Sequence, residues 1–577
     1  RFFLAFVARL GKTAGWPLTV FLAPNGVPFD GGGYYPPEPR FGLPSFSQVL
    51  NTVERAYRGQ PAHLATDKST PAPKDRTRPE IEISDSLLDH VCRGLAEGVD
   101  PLYGGFGTDG PKFLHAAGHE LLLRAWRRTG RSFYLEAAAG SLAQILDGAV
   151  FDHVGGGFHR YAVDDRWHVP HFEKMLNDNA MMIRLCTQLW QATRHSLFSV
   201  RVRSTIEWLI REMRLPDGSF ASSLAADNVD GEGAFYLWTR TELAAALGVD
   251  HGEFLQMYGA ASDGRASEPF PLARENGGNL VDVDPAYDVW LERLLAVRDR
   301  RDQPTRNDWC LADWNGLAIT ALAEAALTFD RPDWLAVAQT AFAAVLATLG
   351  SGSRLFHCTP VGEARVTGLL DDYAAMAQAA LALHEVSGRL EFLDRAVEWE
   401  QVLEAEYWDD AEGGYFLTAR DGEQRVPRQK YIDETSSPAG NALMLGVLAR
   451  LLAATGNSHY RRRTDGILRR FADVMSKAHL RAATALCHSQ ASDRLAQIVI
   501  VGRGVEADVM RHEVGLNYLP DRLLLTVADD TALPAGHPGQ GKTSVTGLAT
   551  TYACIGPLCL PPASSRQALR QLLAIRL

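Results

Sequence analysis

Between Ala149 and Asn179 the sequence AVFDHVGGGFHRYAVDDRWHVPHFEKMLNDN holds four histidines, His153, His159, His168 and His171, with Arg160, Glu173, Lys174 and several aspartates. Imidazoles titrate near neutral pH and a neighbouring carboxylate such as Glu173 or Asp178 tunes them, so the crowd suggests general acid–base chemistry. Neutral imidazoles with Glu173 are also metal ligands. No His-x-x-x-His pair or His-Glu-x-x-His pattern occurs here, and no metal or other cofactor is expected. A third reading is structural, with His, Arg and Asp groups tying backbone turns together through buried hydrogen bonds. Trp167, Phe172 and, further along, Trp314 suit stacking on a sugar ring, although aromatic residues on helices more often belong to a core.

The elements that must carry these groups are mostly helices. Apolar residues recur at helical spacing in twelve segments: 84–98, 114–129, 132–148, 172–193, 197–215, 289–302, 315–330, 332–350, 371–388, 391–406, 441–456 and 458–478. The pattern Asp-x-x-x-Gly-Gly-aromatic follows predicted helices at Asp100–Phe106, Asp152–Phe158 and Asp409–Tyr415, and a looser copy runs from Asp227 to Phe235. The first two copies start 52 residues apart, the length of one helical hairpin with its loops. Repeated hairpins stack as a solenoid or close into a toroid; closure is expected, because the long polar turns are alike, as if meeting at one mouth. Asp227 with Asp230, Asp313-Trp314-Asn315-Gly316, Asp371-Asp372-Tyr373, and Lys430 with Asp433 all fall in such turns. Asp371 and Asn315 read first as helix caps, whereas Asp227 and Asp372 each have another acid nearby to do that work.

Two smaller regions flank the helices. Residues 1–60 read as a short α/β piece in which Gly15-Trp16-Pro17 leads into a strand and Pro24-Asn25-Gly26 turns it back. Residues 61–80, rich in Pro, Thr, Lys and Asp, read as a linker. Residues 481–577 form a small α/β appendix with strands at 496–502 and 522–527. Gly536-x-x-x-x-Gly541-Lys542-Thr543 matches the phosphate-loop pattern, but no strand directly precedes it and no helix follows, so it is read as a turn. Cys554 and Cys559 are spaced for a disulfide, a metal or neither.

Composition bounds the function. With 577 residues, 46% of them hydrophobic, the chain can bury a large core. The net charge of −11 and the absence of Lys/Arg blocks favour neither nucleic acid nor an anionic membrane. No uninterrupted apolar run reaches the roughly 18 residues of a membrane span. Seven scattered cysteines are no disulfide framework, so a reducing, cytoplasmic setting is expected. The chain opens at Arg1, and its true amino terminus is expected to lie upstream.

Gly15 to Leu22, Gly105-Phe106 with Pro111-Lys112-Phe113, Asp152 to Met175, Trp314-Asn315-Gly316, Asp371 to Ala374 and Pro438-x-Gly440-Asn441 together resemble the spermatogenesis-associated thioredoxin-domain proteins and their bacterial relatives. The resemblance implies a mainly α protein: an N-terminal thioredoxin-like domain, here only half present and without a Cys-x-x-Cys segment, then an (α/α)6 toroid of the six-hairpin glycosidase type over 81–480. It is similar to N-acylglucosamine 2-epimerases, and Pro17 would be the cis-proline of the thioredoxin fold. By analogy the mouth is expected to bind a carbohydrate-like small molecule and to epimerise or isomerise it. His171 or His159 would move the proton and Glu173 or Asp372 would orient it. Arg160, Tyr161, Trp167, His168, Asp227, Trp314 and Asn315 would hold substrate. The rival expectation is a non-catalytic or thiol-redox scaffold that binds a protein partner.

Overall fold

The computed structural model describes residues 2–24, 26–40, 42–59, 82–259, 267–274, 287–359, 366–422, 427–528, 533, 536–556 and 558–574. The linker expected over 61–80 and Asn25 of the expected turn lie outside the described residues. Two compact units divide the chain, Arg1–Glu80 with Phe416–Lys430, and Ile81–Tyr415 with Tyr431–Leu577.

The first unit contains α1 (Phe2–Arg9), an antiparallel hairpin of β1 (Thr19–Leu22) and β2 (Pro28–Gly32), and α2 (Phe46–Gly59). The Trp16–Pro17 bond that opens the hairpin is cis.

The second unit is a closed double ring. Its inner helices are α4 (Ala116–Thr129), α6 (Leu176–Thr193), α11 (Ala312–Phe329), α13 (Leu370–Ser387), α15 (Gly440–Thr455) and α17 (Ala483–His488). Each packs on the next, and α17 returns to α4. Outside them lie α3 (Asp85–Glu97), α5 (Ser132–Asp147), α7 (Ser196–Trp208), α12 (Pro332–Leu349), α14 (Leu390–Glu406) and α16 (Ser458–Lys477). This is the six-hairpin toroid, and the burial pattern explains its layering. Inner α13 is buried on nearly every face from Leu370 to Val386, as an all-round apolar helix must be, while outer α16 buries one stripe, Tyr460, Ile467, Phe471 and Met475. Small residues let inner helices close up: a Cβ on Gly316 of α11 would stand 2.7 Å from the Ala375 backbone of α13. By length and mean hydropathy alone α12 could cross a membrane; here Trp334, Phe342 and Val345 are buried.

Ring membership differs from expectation at one place. The segment expected at 289–302 forms α10 (Asp288–Arg298), which joins α8 (Arg240–Leu247) and α9 (His251–Tyr258) around Trp238, Leu243, Phe254 and Leu294 rather than the ring. The vacated position goes to α17, whose six residues are too few to show a helical period.

The repeated turn is a single device built three times. In each copy the Asp carboxylate accepts two backbone N–H groups: from Leu102 and Tyr103 at Asp100, Val154 and Gly155 at Asp152, and Ala411 and Glu412 at Asp409. The paired glycines take positive φ, 66° and 75°, 80° and 83°, and 75° and 77°, which is why glycine recurs there. In two copies a buried lysine completes the turn. Lys112 reaches Asp100 at 2.5 Å and Gly104 O at 2.9 Å; Lys174 reaches Asp152 and Gly156 O, both at 2.7 Å. Lys174 is therefore part of the architecture, and Lys112 is its counterpart in the first turn. The expected fourth copy at Asp227 does not form this turn; Asp227 pairs with Glu232 in a two-residue hairpin.

The appendix is a four-stranded sheet in which β3 (Ala496–Val501) pairs parallel with β4 (Arg522–Val527) and antiparallel with β5 (Thr550–Ile555), which carries β6 (Leu558–Cys559) at its edge. Between β3 and β4 runs α18 (Gly504–Gly515), and α19 (Arg566–Ala574) packs on it. Cys554 and Cys559 face each other across β5 and β6 and are joined in a disulfide. Gly536–Thr543 is a series of turns, as expected.

Candidate functional site at the mouth of the ring

The N-termini of neighbouring inner helices α6, α11 and α13 carry Asp178, Asp313 and Asp372 in their first turns, where helix dipoles favour carboxylates. A cavity of about 250 Å³ opens beside α6 and α4; Arg160, Asp178, His115, Glu434, Ser436 and Arg481 line it. Ion pairs tie the inner helices together, with Arg184 2.9 Å from Glu324 and 3.2 Å from Glu120.

Beside this cavity three short strands, Lys112–Phe113, Tyr161–Ala162 and Pro170–His171, align Phe113, Tyr161 and His171 in register. Tyr161 stacks on Phe113 and on His171, both at 5.0 Å between ring centres. Arg160 binds Glu173 at 2.9 Å, His171 Nε2 lies 3.8 Å from the same carboxylate, and His171 Nδ1 lies 2.8 Å from Glu232. Asp178 belongs to this group. Burial pushes its carboxyl up to about 7, with Arg160 pulling it down and Glu173 pushing it up.

A second group lies at the starts of α11 and α13. His357 Nδ1 is 2.9 Å from Asp372 Oδ1, and Asp372, fully buried, also accepts the N–H groups of Leu369 at 2.6 Å and Asp313 at 3.1 Å. Burial disfavours the imidazolium, but the carboxylates of Asp372 and Asp313 outweigh it and hold His357 up at about 9. Burial and the neighbouring Asp372 raise Asp313 to about 8. An imidazole oriented by a buried carboxylate is the arrangement of a general acid–base. Asp313, His357 and Asp372 offer ligand atoms within 4.8 Å of one another, the donor set of a divalent cation. Both Asp372 oxygens already accept hydrogen bonds, which favours proton chemistry over ligation.

Several expected site residues have other work. His159, 1% exposed, donates to Phe172 O at 2.9 Å and lies edge-on to Phe172 and Tyr236. Burial, reinforced by Lys174, pushes it down to about 3, so it is a neutral strut, not a proton carrier. Trp167 is fully buried at φ 66°, donates to Tyr103 O and packs against Gly105 and Gly148, leaving no face for a sugar. Asn315, also fully buried, accepts from Phe220 N and donates to Phe220 O and Leu311 O. Asn179 and Asn441 do the same for Phe158 and Tyr415, so all three are ties from an inner helix to the preceding turn. Asp227 is exposed, and its hairpin reaches the site through Glu232. Asp372 orients His357 rather than His159 or His171. Trp314 is half-buried in the first turn of α11, and His168 is half-buried with its N–H on Asp164.

A thioredoxin DsbH family model, described as a protein of unknown function, DUF255, matches residues 1–72. Spermatogenesis-associated protein 20 of Homo sapiens is 27% identical over 99% of this chain and 81% of its own length. The uncharacterized protein B0495.5 of Caenorhabditis elegans is 24% identical over 99% of this chain and 85% of its own length. Among solved structures, a D-mannose isomerase is 13% identical with a TM-score of 0.44, covering 68% of this chain and 87% of that one. The cellobiose 2-epimerase of Bacillus thermoamylovorans is 8% identical with a TM-score of 0.42, covering 68% and 88%. Along its whole length the chain is thus similar to spermatogenesis-associated protein 20, with a thioredoxin-type segment followed by a six-hairpin toroid.

Proposed function

We propose that the mouth of the toroid binds a carbohydrate-like small molecule and moves a proton on it, as an epimerase or isomerase does. The observation that carries this reading is Asp178, a carboxyl in a cavity wall held near neutrality beside Arg160 and Glu173. A group poised at about 7 can both take and return a proton. In this reading Arg160 and His171 hold hydroxyl or carbonyl oxygens, and Trp314 offers a ring face. His357, kept charged and oriented by Asp372, supplies a second proton from the neighbouring helix start. Titrating the protein with a panel of aldoses, ketoses and disaccharides while following the imidazole NMR signals tests the binding half. A binder should shift His171 or His357 in the wild type and lose affinity in Arg160→Ala. A panel that moves neither would count against it.

A second reading, a thiol-redox scaffold that binds a protein partner, is favoured by the Cys554–Cys559 disulfide and by the thioredoxin-type match. The matched segment itself carries no cysteine, since the first in the chain is Cys92. Under this reading, reduction of that disulfide should change the set of bound proteins while sugars have no effect.

A further inference from the structure

A second cavity, of about 290 Å³, lies where the C-terminal halves of α4 and α17 meet the appendix, away from the Asp178 end of both helices. Four guanidinium groups line it: Arg124, Arg127, Arg128 and Arg494. Among the described residues of its wall, Asp521 is the sole carboxylate, and Leu88, Leu121, Leu519 and Ile555 give an apolar floor.

Arg124, 7% exposed, sets the character of the site. Its Nε donates to Glu120 at 2.9 Å, and its Nη1 donates to Asp521 at 2.7 Å and Cys487 O at 3.0 Å. Among the described residues its buried Nη2 has no hydrogen-bond partner, a costly omission for a charged donor. Acids outside the cavity brace two other arms: Arg494 lies 2.7 Å from Asp85, and Arg128 lies 2.7 Å from Asp89. Three of the positive groups are therefore held in place before any ligand arrives, and among the described residues of the wall Asp521 is the sole carboxylate competing for them.

We propose that this cavity binds a small organic acid, a carboxylate carrying a short apolar body. A planar carboxylate matches the guanidinium fork and can accept from Arg124 Nη2. Asp85, Asp89, Glu120 and Asp521 equal the four guanidinium groups in number, so a monoanion fits the balance better than a dianionic phosphate. The volume sits at the small end of ligand pockets, roughly 300 Å³, which suits a chain of about six carbons.

Calorimetric titration of the intact protein with hexanoate, hexanol and hexyl phosphate tests the assignment. Hexanoate should bind about ten-fold more tightly than hexanol or hexyl phosphate, the worth of one charge-assisted contact. Arg494→Ala, at a partly exposed rim position, should weaken hexanoate about five-fold or more without lowering the melting temperature. Ala125→Phe, which fills the floor, should abolish binding while the protein still melts cooperatively. Equal affinity for hexanoate and hexanol, tighter binding of hexyl phosphate, or hexanoate binding unchanged in both variants would overturn the proposal. The mouth variant Arg160→Ala should leave hexanoate affinity as it was, which keeps this site separable from sugar binding.

Discussion

His357 and Asp372 are joined at 2.9 Å although 15 residues separate them, with the carboxylate sealed at the start of α13 and the imidazole partly open. The pair makes a direct prediction. In Asp372→Asn the imidazole loses its main charge partner and should titrate well below the value near 9 that it has in the wild type, read from its Cε1–H signal. The folded-state value lies above the ordinary 6.5, so the stability this group contributes is complete below about 6.5 and is lost as pH rises through about 9. His357→Gln should accordingly flatten the pH dependence of urea midpoints across that window. An imidazole still titrating near 9 in Asp372→Asn would show that another group holds its charge.

Asp178 is tuned from two sides, and its neighbours can be removed one at a time. Arg160→Ala should raise its titration further above 7, and Glu173→Gln should lower it, both readable by carboxyl carbon NMR. A titration unmoved in both variants would mean that burial alone sets the value.

Lys174 is a support and should behave as one. It is fully buried 2.7 Å from Asp152, to which Arg298 also binds at 2.7 Å. Lys174→Met leaves Asp152 short of a partner and should cost about 3–5 kcal/mol by urea unfolding. A loss under about 1 kcal/mol, the range of exposed pairs, would contradict this role.

The asparagine ties make a parallel prediction. Asn315→Ala leaves the buried Phe220 N–H without an acceptor and should cost about 1–3 kcal/mol, with ligand affinity at the mouth unchanged. Lost affinity at full stability would return Asn315 to the list of binding residues.

Much of the architecture was legible because it rests on local requirements. Paired glycines at positive φ after an aspartate can mean little but a tight turn, and three copies at hairpin spacing imply repeated hairpins. The ties were not legible, since Asn315 read as a cap, Asn179 and Asn441 carried no local signal, and their partners lie in turns that only folding brings near. His159 and Trp167 were overvalued for the complementary reason: residue type announces reactivity, whereas complete burial and a positive φ at Trp167 depend on the packed ring. His357 was missed because no acid stands near it in sequence. Glu232 was missed by one cross-strand step, its partner Asp227 being the acid the pattern singled out.

The central claim is proton transfer at the mouth, and deuterium wash-in measures it most directly. Wild-type protein incubated in D2O with the sugar panel should introduce deuterium next to the carbonyl carbon of at least one sugar, followed by proton NMR. Asp178→Asn and His357→Gln, folded by their melting curves, should slow that exchange by about 100-fold or more, the usual contribution of a general acid or base. Exchange that persists at the wild-type rate in both variants, or wild-type protein that exchanges no sugar in the panel, would contradict the account.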